Sequence, residues 1–221
     1  MSVQFGAFGK IPALGDFFRL NVAAGFVQLW DTWLQSCILD ARSTLGDGWT
    51  DAYLSAPIWR FTLSAGVVGD APVMGILMAS VDRVGRQYPL TLAATCPDEN
   101  VPRSHFANTP VFEALEQVAL AMLEDGTTKD TLSEALAPIQ PISTPTRMDN
   151  LPFCAPIPFE HAAAGQILSD RLGPDGCLWS TAMQGDHRLF RTRNLPDGPE
   201  RTALFDLSHP MWHKTSAVEF I

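Results

Sequence analysis

The most regular pattern in the chain is a stripe of apolar residues: Phe26, Leu29, Trp30, Trp33, Leu34, Cys37, Ile38, Ala41 and Leu45. Gln28, Asp31, Thr32, Gln35, Asp40 and Arg42 fill the positions between them. Steps of three and four put the apolar set on one face of a helix, and Gly46 is placed to end it. The two tryptophans are read as core, because the stripe that carries them must be buried in any case. The rhythm changes at residues 58–64. There Trp59, Phe61 and Leu63 alternate with Arg60, Thr62 and Ser64, the period of a strand. Residues 73–79 are apolar on both sides, as in a central strand, and the short connection between the two runs predicts an antiparallel hairpin. A third strand is predicted over residues 90–96. Between the second and third lies the charged stretch Ser80-Val81-Asp82-Arg83-Val84-Gly85-Arg86-Gln87-Tyr88-Pro89-Leu90.

The rest of the chain reads less sharply. Residues 3–8 form a short strand, followed by a loop over 9–19 that Pro12 and Gly15 punctuate and that Phe17 and Phe18 pin to the core. Thr109 before Pro110 predicts a helix start, with Val111, Leu115, Val118 and Met122 buried and Gly126 as the stop. A shorter helix is expected over 131–137, with Glu134 completing a capping box. Residues 138–158 hold Pro138, Pro141, Pro145, Pro152, Pro156 and Pro158, which reads as a long irregular connection between a first part and a second. A helix over 159–172, a strand over 177–183, a turn at Gly185-Asp186 and a return strand over 187–192 complete the second part. A short apolar segment over 202–207 follows.

Composition narrows the function classes. The chain has 221 residues and a formal net charge of -9. That balance argues against a general nucleic-acid binder and against docking on an anionic membrane. Arg188, Arg191 and Arg193 cluster locally, and read as a solvated strand edge. No signal peptide and no membrane span are visible. Cys37, Cys96, Cys154 and Cys177 are far apart, as free thiols in a reducing, cytoplasmic setting would be.

Familiar catalytic motifs are missing. Gly9-Lys10 lacks the flanking residues of a phosphate loop, since Gln4 and Ile11 stand where a glycine and a Ser or Thr are needed. His209 and His213 share a four-residue spacing, but Pro210 breaks the helix they require and no further ligands complete a metal site. No nucleophile-elbow pattern occurs. The acid and base candidates are Asp16, Asp51, Asp82 and Glu160. Asp82 with Arg83 and Arg86 fits three descriptions: a catalytic charged cluster, a salt-bridged turn closing two core strands, or a recognition surface of fixed arginine forks.

Four motifs in order carry a resemblance. They are Phe8-Gly9-Lys10-Ile11-Pro12 with Gly15-Asp16-Phe17 and Arg19; Trp30-Asp31 with Trp33-Leu34; Tyr53-Leu54 with Pro57 and Trp59-Arg60-Phe61; and the 80–90 block. Together they resemble the type VI secretion-associated TagF (ImpM) family over about residues 5–95, and less specifically to about 135. The second half resembles it only through Leu178-Trp179-Ser180 and Leu204-Phe205-Asp206.

The resemblance implies an α/β fold, a three-layer α/β/α sandwich with a mixed, largely antiparallel sheet. It implies one TagF-like domain over 1–221, with 1–137 its best-matching part, 138–158 the proline-rich connection, and 159–221 packing on the same sheet. It further implies a cytoplasmic, non-enzymatic accessory protein without cofactor or metal, a post-translational repressor that acts by binding a forkhead-associated scaffold or another secretion component. Some relatives carry a fused phosphatase domain; these residues lack its Asp-rich metal motifs. The expected polar patch, partner-binding or structural, is Lys10, Asp16, Arg19, Arg60, Asp82, Arg83 and Arg86, with Asp82 paired to Arg60 or Arg86 and Arg83 free. An α/β enzyme with an Asp82/Arg86 cleft and a structural assembly factor are the alternatives.

Overall fold

The computed structural model describes residues 3–144, 162–183 and 186–213. Along the chain run β1 (Gly6–Gly9), β2 (Phe18–Leu20), α1 (Ala24–Leu45), α2 (Trp49–Leu54), β3 (Trp59–Leu63), β4 (Val73–Met78) and β5 (Leu90–Thr95). They are followed by α3 (Val101–Ala107), α4 (Thr109–Ala121), α5 (Lys129–Leu136), α6 (Ala162–Leu172), β6 (Cys177–Met183), β7 (Asp186–Thr192) and α7 (Pro199–Ala203). The strands form one sheet in the order β2-β1-β5-β4-β3-β6-β7. Every pairing in it is antiparallel, where the resemblance implies a mixed sheet. Parallel neighbours need a crossover, and the pairs β1/β2, β3/β4, β4/β5 and β6/β7 are consecutive in the chain.

Strand alternation sorts the side chains into two cores. Trp59, Phe61 and Leu63 of β3, with Trp179 of β6, pack under the α1 stripe of Trp30, Trp33, Leu34 and Cys37. Met74, Ile76, Leu90 and Leu92 face the other way, against Val111, Phe112 and Leu115 of α4 and Leu132 of α5. A smaller cluster joins Val101 and Phe106 of α3 to Leu178 of β6. The arrangement is a three-layer sandwich.

Several local expectations shift. Leu29 is half exposed rather than part of the buried stripe. The segment after Gly46 contains α2, which was not expected. The loop over 9–19 contains β2, and α3 was not expected. Thr109 does not cap α4; Asn108 precedes the helix and the Thr109 hydroxyl donates to the Phe106 carbonyl. The cap of α5 is Thr128, in a capping box with Thr131 and not with Glu134. The turn at Gly185, most of the 138–158 connection and the start of the 159–172 helix lie outside the described residues.

One buried polar chain crosses the sheet on the α3 side. His105, 3% exposed, has Nδ1 2.9 Å from the Thr62 hydroxyl of β3 and Nε2 2.7 Å from the Ser180 hydroxyl of β6. Burial, reinforced by the charge of Arg60, pushes the imidazole pKa down to about 3, so the folded protein holds it neutral. The unfolded chain takes up a proton near its ordinary value of about 6.5. Stability from this group is therefore complete above that pH and is lost as pH falls from there toward 3. Urea unfolding should find the protein about 2 kcal/mol less stable at pH 5 than at pH 7.5 through this residue alone. His105→Gln should start from a lower stability and lack that component. An unchanged pH slope in the variant would remove His105 as its source.

Candidate partner-binding platform at the β4–β5 turn

The turn between β4 and β5 is built around Asp82, which is 2% exposed. Its Oδ1 accepts the amides of Val84 at 3.1 Å and Arg86 at 2.9 Å. Its Oδ2 accepts Lys10 Nζ at 3.0 Å and Arg86 Nε at 2.7 Å. Burial alone would raise the carboxyl pKa. The Arg86 amide, the Lys10 and Arg86 side chains and the Val84 amide outweigh it and hold the group below the usual carboxylate range. Because the folded value lies below the unfolded one, its charge contributes to stability above about pH 4 and the contribution is lost as pH falls through the folded value. The backbone closes the same turn through the bond from the Gly85 amide to the Asp82 carbonyl at 2.8 Å. Gly85 has φ 81°, a conformation that favours glycine.

The loop over 10–19 is bound to this turn. Arg86 Nη2 donates to the Gly15 carbonyl at 2.6 Å, and the Arg83 amide donates to the Leu14 carbonyl at 2.9 Å. At the base of the loop, Gly9 has φ 132°, and a Cβ there would fall 2.1 Å from the Pro89 carbonyl oxygen. Only glycine permits that approach. Lys10 lies 4.7 Å from the centroid of the Phe17 ring, a cation–π contact. Phe17 in turn meets the edge of Tyr88 at 4.6 Å between centroids.

The helical layer holds the turn from beneath. Tyr53 of α2 donates to the Ser80 carbonyl at 2.7 Å and accepts the Ser80 amide at 3.0 Å. Tyr88 donates to Asp31 of α1 at 2.6 Å. Trp49 Nε1 donates to the Gln87 side chain at 2.5 Å. All four motifs of the first half thus converge on one turn.

The expected patch divides. Lys10, Asp82 and Arg86 form one ion cluster. Arg83 is exposed, and among the described residues its guanidinium has no hydrogen-bond or ion-pair partner. Asp16 is exposed beside them, and its Oδ1 accepts the Phe17 amide at 2.8 Å. Arg19 is exposed on β2, opposite Phe8 in the register.

Arg60 does not join them, and the expected Asp82–Arg60 pair is not formed. Strand alternation turns Arg60 to the α4 side, where it makes a two-pronged pair with Glu116 at 2.6 and 3.0 Å. Sequence reasoning missed Glu116, which no spacing rule links to β3. It also missed two exposed apolar residues on the platform, Val84 at 70% and Phe17 at 47%. Val84 was visible as a β-branched residue beside Gly85 in a turn.

Two concavities among the described residues lie away from the turn. A largely apolar groove of about 580 Å³, lined among others by Val22, Phe26, Val68 and Val73, opens at the opposite end of β4 and β5. The Thr62–His105–Ser180 chain has the spacing of an orienting group, base and nucleophile, but the cavity beside it measures about 20 Å³, enough for one water. Arg188 and Arg191 on the edge strand β7 donate to the carbonyls of Leu207 and Asp175. Burial pushes the Cys177 thiol up to about 12 and raises Cys37 as well, so both are inert free thiols. Cys154 and Glu160 lie outside the described residues.

Fold and site define an α/β sandwich with a hydrogen-bonded loop platform at the β4–β5 turn. The family model described as "TagF N-terminal domain, Type VI secretion system-associated" matches residues 6–139. The chain belongs to that family, and its setting is type VI secretion. It is similar to a solved protein, PA0076 from Pseudomonas aeruginosa PAO1, at 30% identity over 91% of this chain and 94% of that one, with a TM-score of 0.71. No curated protein sequence matches. Among the described residues no helix is long and apolar enough to cross a membrane.

Removing the central carboxylate should separate structure from surface. Asp82→Asn strands Lys10 without its ion partner and weakens four bonds, so it should lower the thermal midpoint well below that of the unaltered protein. Arg86→Ala removes a half-exposed partner but leaves Lys10 and two amides on the carboxylate, so it should lower the midpoint less than Asp82→Asn does. An Asp82→Asn melt, followed by circular dichroism, that matches the unaltered protein would show that the turn does not depend on the buried carboxylate.

Proposed function

We propose that this chain is a non-enzymatic, cytoplasmic accessory protein that restrains type VI secretion after translation by binding a component of the apparatus. The expected component is a forkhead-associated scaffold protein. Family membership supports the setting. The observation that carries the binding mode is the state of Asp82. A general acid or base needs a carboxyl with an unspent bond and access to substrate. Asp82 is saturated by four donors and covered.

What the turn offers instead is an exposed apolar pair, Val84 and Phe17, beside a free guanidinium. Arginine and aromatic residues backed by rigid structure are the usual anchors of protein interfaces. The pairing of Asp82 with Lys10 and Arg86 fixes the backbone beneath, so binding orders few groups.

Two measurements in a bacterium carrying the secretion cluster test this. Overproduction of the chain should lower export of the apparatus's substrates, and affinity capture should recover a secretion component. Val84→Asp should keep the melting profile and Phe17→Ser, which loses the Lys10 and Tyr88 contacts, should lower it only modestly, while both reduce the two effects about tenfold or more. Unchanged export together with capture of no secretion component would overturn the reading. Unchanged capture by both folded variants would remove the platform as its site.

A further inference from the structure

We infer that the platform receives an acidic segment of a partner protein, with one carboxylate gripped by Arg83 and a neighbouring apolar side chain seated on Val84 and Phe17. This rests on reading the platform as a partner surface. The chain carries a net charge of -9, yet its two platform loops run against that balance. Lys10, Arg19, Arg83 and Arg86 stand there against Asp16 and Asp82. Lys10 and Arg86 are committed to Asp82. Asp16 uses one oxygen on the Phe17 amide. Among the described residues the guanidinium groups of Arg19 and Arg83 have no hydrogen-bond or ion-pair partner, and Arg83 is the one that stands on the turn itself.

The fork is also positioned. Its amide is tied to the Leu14 carbonyl, and its side chain lies across Gly15, where a Cβ would fall 3.1 Å from Nη2. Arg86 holds the carbonyl of the same glycine. Gly15 is absent from the residues with positive φ, so its lack of a side chain makes room for Arg83 rather than permitting a turn. A guanidinium held against backbone loses less freedom on binding than a free one.

Of Arg19 and Arg83, the structure shows only Arg83 held against backbone, and one fixed fork selects the anion. Phosphorylated segments are usually met by clusters of arginines. A single planar guanidinium matches a single planar carboxylate through two parallel bonds. The apolar neighbours then ask for an aliphatic or aromatic residue next to that acid.

The test uses the full chain, isotope-labelled, titrated by nuclear magnetic resonance with a blocked decapeptide of glutamate and leucine. Amide shifts should be confined to the 10–19 and 80–90 loops and should weaken at high salt. Arg83→Glu should weaken binding about tenfold or more. Gly15→Ala should weaken it several-fold with an unchanged melting profile, because its methyl displaces only the end of a flexible side chain. The inference is overturned by shifts elsewhere, by equal binding of the glutamine counterpart, or by a phosphothreonine peptide that binds more than tenfold tighter. The two readings fail separately. If folded Arg83→Glu still captures the secretion component while Val84→Asp does not, the platform stands and the acidic-segment inference falls.

Discussion

One buried carboxylate fixes the end of the sheet on which the loop platform stands. Asp82 loses nearly all of its hydration, a large cost for an ion, and recovers it only because four donors converge on its two oxygens. Two of those donors are amides of its own turn, one is a lysine from the end of β1, and one is an arginine that reaches on to the Gly15 carbonyl. The loop over 10–19 has little apolar burial of its own beyond Ile11 and Phe18. Its position is set by bonds to the turn, so the shape of both loops depends on a single ionised group.

The sheet beneath is held by different means on its two faces. On the α1 face, indole N–H groups do the joining. Trp30 donates to Thr91 at 2.8 Å, Trp33 to the Pro196 carbonyl at 2.9 Å, and Trp59 to the Leu204 carbonyl at 2.7 Å. The last two reach more than a hundred residues along the chain and lock the second half over the first. Each of these rings buries a large apolar area while its one polar atom finds an acceptor, a hydroxyl for Trp30 and a carbonyl for Trp33 and Trp59. On the opposite face the joints are ionic or polar: Arg60 with Glu116, and His105 between β3 and β6. The platform sits where strands leave both systems, which gives its loops a rigid base.

Much of this was legible in the sequence because periodicity reports burial. The α1 stripe, the alternation of β3, the apolar run of β4 and the β6–β7 hairpin are each direct readings of which side chains must leave water. The role of residues 80–90 as a turn between core strands followed from its flanks. Partners were legible only where they lie close in the chain, as with Asp82 and Arg86. Lys10 was placed in the patch but not paired, and Glu116 was missed, because a salt bridge across 72 or 56 residues leaves no local trace. Arg60 was drawn into the patch by its charge, although the alternation that exposed it to view also turns it to α4. Short elements such as β2, α2 and α3 escaped because their few residues average out any period.

The distribution of satisfied and unsatisfied groups is itself an argument about function. A turn that only had to join β4 to β5 could do so with a few polar residues and no buried ion. This one spends a buried carboxylate, two cations and two tyrosine hydroxyls to fix a backbone that then presents Val84 and Phe17 to water. The exposed part of such side chains, most of Val84 and about half of Phe17, gains nothing for folding, and a rigid base under it gains nothing for solubility. Both become favourable when a partner covers them, since the order needed for binding has already been imposed by folding. The same reasoning disfavours chemistry at Asp82: four donors make it the most stably ionised carboxylate of the platform, and a group held that firmly in one state has no proton to give or take near neutral pH.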